Sequence, residues 1–273
     1  MIHGIFCDLI EDTSLATAKL ATSALLERIN KLNAQFGRID EFTLASIERE
    51  ANKLTAIDPG LAWEILSIVA ASRSDIPAMQ SSFKNAEAQR RGDGLLQLNY
   101  SISLRRVGLF SEAVDRAWTS LQQYRDDPHV LQQAAETFQL GLAMDKYLVA
   151  LDCLYALGAA PLVEHEGKDS RGDIKNHLDY LASKKLASHD ITAALQAVRL
   201  LIGKQGYQLE AYRYSLEHDG AITLYYGISA SAEVCARLNF EIADVVLENS
   251  PDALPEVLVV STNPHEELVE VAE

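Results

Sequence analysis

Seven histidines and 39 acids supply side chains that could hold a metal ion, with His-Asp pairs at His189-Asp190 and His218-Asp219. Imidazole and carboxylate together would hold a Mn, Fe or Zn ion and activate bound water for hydrolysis. Ser188-His189-Asp190 has a second reading as a helix start, because Ser and Asp cap helices. His218-Asp219 before Gly220 likewise suits a hairpin turn, where Asp bonds the local backbone. Cys7, Cys153 and Cys235 are odd in number and more than eighty residues apart, which suits neither a disulfide framework nor metal-ligand spacing. No Gly-rich phosphate loop, nucleophile-elbow serine or Cys-His pair at diagnostic spacing occurs. The expectation is a protein that binds without a cofactor and does not catalyse.

Charge narrows the partner. Acids outnumber bases 39 to 24, a formal net charge of -15 that repels phosphate backbones and anionic lipid surfaces. The basic clusters Arg90-Arg91, Arg105-Arg106 and Lys184-Lys185 are only doublets, so neither nucleic acid nor a membrane is expected as a partner. No apolar run approaches a membrane span and the start lacks signal-peptide character, so the expected location is cytoplasmic.

Apolar spacing predicts helices over 13–33 and 40–56, the second ending before Asp58-Pro59-Gly60. From 61 to 158 the pattern repeats every 34 residues. Trp63, Met79, Phe83 and Ala86 in one copy answer to Gln97, Ala113, Ala117 and Ser120 in the next, with Gly108 and Phe110 at the inter-helix turn. The stretch Arg-Arg-Val-Gly-Leu-Phe-Ser-Glu-Ala-Val resembles the tetratricopeptide-repeat superfamily, in which a small residue lets two antiparallel helices approach closely. A third copy near 131–158 matches only with an insertion of about three residues that aligns Ala150 with the small core position.

The resemblance implies that first helices line a concave groove, placing Asn99, Ile102, Arg105 and Arg106 in it or at its rim. Family members that grip a peptide carboxylate use Asn and basic residues there. Here Glu64 and Ile68 occupy places that a full clamp would give to Lys and Asn. Separately, the order His, His-Asp, Asp resembles that of HD-type metal-dependent phosphohydrolases, which implies His177, His189 and Asp190 as an alternative site.

After Gly158 the composition turns polar, which sets a boundary: a helical-repeat domain over 1–160, a linker over 161–173 containing Arg171-Gly172-Asp173 as loop, an α+β module over 174–264, and an acidic tail over 265–273. Helices are predicted over 174–184 and 191–203, the second capped by Ser188 or Asp190. Alternation then predicts a hairpin. Only a three-residue His-Asp-Gly loop places Tyr212, Tyr214 and Leu216 on the same face as Ile222, Leu224 and Tyr226. Tyr225 is left outward as a contact candidate. A helix from Ser231 and a strand over 257–262 complete a ββαβ module.

The fold class expected is mainly α, antiparallel helical hairpins in a tetratricopeptide-like superhelix, followed by a small C-terminal α+β module. The function expected is a non-enzymatic adaptor or scaffold for a protein or peptide partner, with the second module making another contact or a homo-oligomer. The alternatives are the HD-type hydrolase and a regulator or chaperone for a peptide or secreted client.

Overall fold

The computed structural model describes Leu25, residues 27–29, 39–159, 170–207, 209–217, 220–248 and 254–266. Most of the helix expected over 13–33, the run 161–169, His218-Asp219 and the tail beyond Glu266 lie outside the described residues.

A carboxylate at the head of a helix accepts from backbone N–H groups that have no partner within it. Asp40 does this for α1 (Glu41–Leu54), Asp58 for α2 (Pro59–Ser72) and Asp75 for α3 (Ile76–Gln89). Asp93 caps α4 (Gly94–Arg106) and Asp127 caps α6 (Pro128–Leu140), while α5 (Phe110–Gln123) and α7 (Met144–Ala156) start without a side-chain cap. The Asp58-Pro59-Gly60 breaker therefore also starts the next helix, with Pro59 in the first turn, where no amide donor is missed.

The hairpins α2–α3, α4–α5 and α6–α7 share one turn. The residues with positive φ are Ser74, Gly108 and Leu142, spaced 34 apart. In each turn the next amide bonds back to a carbonyl near the helix end: Asp75 to Ala70, Leu109 to Leu104 and Ala143 to Phe138, at 2.8 to 2.9 Å. These pairs satisfy carbonyls the helix leaves open. The third hairpin needs no insertion, contrary to the sequence expectation. Its second helix starts 34 residues after Phe110, so Tyr147 rather than Ala150 stands where Ala113 does, and all three are buried. First helices stack on first helices, α2 on α4 and α4 on α6.

The remaining helices are α8 (Arg171–Ser183), α9 (Ser188–Lys204) and α10 (Ala232–Glu248). Arg171-Gly172-Asp173, expected as loop, is the first turn of α8. Helix α9 begins earlier than expected, because Ala187 is its N-cap and the Asp190 carboxylate accepts the Ala187 N–H at 2.8 Å. Strands β1 (Leu209–Leu216), β2 (Ile222–Ile228) and β3 (Leu258–Pro264) form a sheet in that order. The β1–β2 register pairs Leu216 with Ile222, Tyr214 with Leu224 and Tyr212 with Tyr226, as parity requires. Gly220 has φ +92°, and β3 runs parallel to β2 through the α10 crossover. Cys235 and Asn239 of α10 both bond Thr262, so the helix covers the face that holds Tyr226.

The fold is thus mainly helical with a small three-stranded sheet at its C-terminal end. One apolar core runs without a break from Phe110, Phe138 and Tyr147 through Leu195 and Val198 to Leu224, Tyr226 and Leu238. The sheet is packed into the repeat.

Candidate functional site

Helix α9 lies across the turns of the hairpins. The Thr192 hydroxyl donates to the Gly141 carbonyl at 2.8 Å, and the Gln196 amide oxygen accepts the Ser111 N–H at 3.0 Å. Beyond these two bonds, toward the end of α9, the second turn comes very close. A Cβ on Gly108 would lie 2.8 Å from Cβ of Arg199, so Gly108 supplies both the positive φ of the turn and the room for the arginine stem.

Where the end of α9 leaves this edge, a cavity of about 540 Å³ opens. The α2–α3 turn contributes Arg73, the end of α4 Arg105 and Arg106, and the end of α9 Arg199 and Lys204. Ile102, Phe110, Leu140 and Leu209 supply apolar wall, and no acidic residue among the described ones lines the space. Five of the chain's 24 basic residues thus share one cavity in a protein of net charge -15.

The five differ in how their charge is answered. Arg73 binds Glu41 and Glu48 at 2.5 and 2.8 Å, and Arg105 meets Glu136 at 3.1 Å. Arg106 is half-buried, and burial, then the charge of Arg105, holds its guanidinium below the usual arginine range. Arg199 is only 9% exposed, faces the Tyr226 ring at 5.6 Å, and has no carboxylate within ion-pair distance among the described residues. Burial pushes its guanidinium down. The Nε of Arg199 and the Nη1 of Arg105 are buried donors without an acceptor among the described residues. Lys204 is exposed at the end of α9 and also lacks a carboxylate partner.

The structure brings together three of the five residues singled out from sequence: Ile102, Arg105 and Arg106 line the cavity. Neither arginine is fully solvated: the Arg105 side chain is 9% exposed, Arg106 is half-buried, and Arg199 of α9 and Leu209 of β1 line the same cavity. Asn99 is placed elsewhere. Its amide donates to Glu64 at 2.6 Å, in a network where Arg90 bridges Glu64 and Asp93. Burial pushes the Glu64 carboxyl up, although Asn99 and Arg90 pull it down. Tyr225 is half-buried on the outer face of the sheet, paired across strands with Arg213 and Ser261.

The residues of the hydrolase alternative are placed apart in burial, His177 inside and His189 at the surface. His177 is fully buried with Nδ1 2.6 Å from the Gly220 carbonyl, so Nδ1 carries the proton and clamps the hairpin turn to α8. His189 is exposed beside Asp190, and Asp219 lies outside the described residues. No group of three or more potential metal ligands occurs among the described residues.

Sequence reasoning missed Arg73, Arg199 and Lys204. Arg199 had a signal: it stands four residues after Leu195 and three before Ile202, on the apolar stripe of its helix. A charge at a core position of a helical pattern has a reason to be there. Comparison of the chain with family models, curated proteins and solved structures finds no match.

Proposed function

We propose that the protein is a non-enzymatic adaptor of tetratricopeptide-like construction that holds a negatively charged segment of another protein. The holding site is the cavity between the turn edge of the hairpins and the end of α9. One observation carries this reading: Arg73, Arg105, Arg106, Arg199 and Lys204 converge there with no acid in the wall among the described residues. An acidic protein repels acidic segments at long range, so such a cluster focuses attraction on one place. Its volume of about 540 Å³ admits one or two side chains rather than a folded surface. The outer sheet face, with half-buried Tyr225 and exposed Val259, remains for a second contact or self-association.

The test is a panel of defined peptides differing in charge, assayed against the full chain by fluorescence anisotropy. Acidic peptides should bind, weaken as salt rises, and lose affinity when exposed Lys204 is reversed by Lys204→Glu. Equal binding of neutral and acidic peptides, or an unaltered Lys204→Glu protein, would overturn the assignment.

A further inference from the structure

We infer that the group bound in this cavity is a phosphate monoester, with Arg199 as its anchor; this rests on the reading that the cavity holds the partner. A buried guanidinium without a counter-charge is costly to the folded protein, and its cost is removed when an anion arrives. Arg199 is such a group. It is nine-tenths buried, lines the cavity, and keeps Nε without an acceptor. Arg105 offers a second buried donor, Nη1, from a different helix. A ligand that satisfies both must present oxygens to two elements at once.

Charge selects among oxyanions. Arg73 and Arg105 are answered by carboxylates, whereas Arg199 and Lys204 have none among the described residues. Two cations of the wall therefore stand without a carboxylate partner among the described residues. A carboxylate brings one negative charge, while a phosphate monoester brings about -1.5 to -2 with three acceptor oxygens. Arginine forks match that geometry.

Volume selects the carrier. A phosphate alone leaves most of about 540 Å³ unfilled, and Ile102, Phe110 and Leu140 offer it no contact. An organic group the size of a side chain or small metabolite uses both parts of the wall. A phosphorylated side chain and a free organic phosphate share this chemistry, and the assay separates them.

The full chain is titrated by calorimetry with phenyl phosphate, benzoate, a phosphorylated peptide, and the same peptide with Glu at the phosphorylated position. Phenyl phosphate and the phosphopeptide should each bind roughly tenfold or more tighter than their carboxylate counterparts. Arg199→Met should abolish both, and Lys204→Gln should weaken both. Equal affinity for phenyl phosphate and benzoate would overturn the phosphate assignment, as would undiminished binding by folded Arg199→Met. If Arg199→Met does not fold, unchanged binding by Lys204→Gln overturns it instead. Phenyl phosphate binding without phosphopeptide binding keeps the phosphate site and overturns the adaptor reading. Acidic peptides that bind with no phosphate preference do the reverse.

Discussion

Replacing Arg199 by Met should make the unliganded protein more stable. Met follows much of the arginine stem, so the contact over Gly108 is retained. What disappears is a guanidinium that is 9% exposed and, among the described residues, holds a donor without an acceptor and faces no carboxylate. Such a group costs about 1–3 kcal/mol. Against this stands the lost attraction to the Tyr226 ring at 5.6 Å, about 0.5–2 kcal/mol. The difference favours Met by about 1 kcal/mol, a rise in melting temperature of roughly 2–4 °C for a chain of this size. Calorimetric melting in phosphate-free buffer at pH 7.5 reads it, and urea titration should show a higher midpoint at unchanged slope. Phenyl phosphate at a hundred times its dissociation constant should then stabilise wild type by about 2.7 kcal/mol and the variant not at all. The stability order should cross over. A variant that melts below wild type without ligand would refute the claim that Arg199 is unsatisfied in the free protein.

Three further outcomes follow from the packing. Ala113→Leu should cost about 1–3 kcal/mol by overpacking, because Ala113 is fully buried in the cluster with Leu104 and Tyr100; urea denaturation measures it. Gly220→Val should cost about 1–3 kcal/mol or more, since φ is +92° and a Cβ would lie 2.6 Å from Cβ of Tyr180; hydrogen exchange should show early opening of the β1–β2 amides. His177 titrates below its ordinary value of 6.5 because burial disfavours the imidazolium, against the Gly220 carbonyl, which favours it. The unfolded chain therefore takes up this proton first: the contribution is intact above pH 6.5 and is lost as pH falls below it, with a slope of at most about 1.4 kcal/mol per pH unit. His177→Gln should flatten that part of the stability profile, and an unchanged slope would show that His177 is not its source.

The 34-residue echo was legible because helix-hairpin packing repeats the same small or apolar positions; Met79 and Ala113 are both fully buried. The third copy misled because Tyr147 is large where Ala113 is small, and a small-residue template slides along to Ala150. Volume at one position is decided by what the neighbouring helix leaves open, and that is not local information. The bond that Asn99 makes was not legible either. Its partner Glu64 lies 35 residues away and becomes adjacent only when α2 stacks on α4.

The sequence by itself determined the helical hairpins, the β1–β2 register and the left-handed glycine at its turn, because periodicity, parity and φ preference act over a few residues. It also determined the net charge of -15. Where the positive charge gathers was decided by the tertiary structure alone. Arg73, Arg105, Arg106, Arg199 and Lys204 come from three separate stretches, and in sequence order they show one doublet and no patch. They meet because Gly108 lets α9 lie on the hairpin turns and one continuous core ties the sheet to the repeat. Coulomb attraction depends on distance in space, so a cationic site assembled across a fold leaves little trace along the chain.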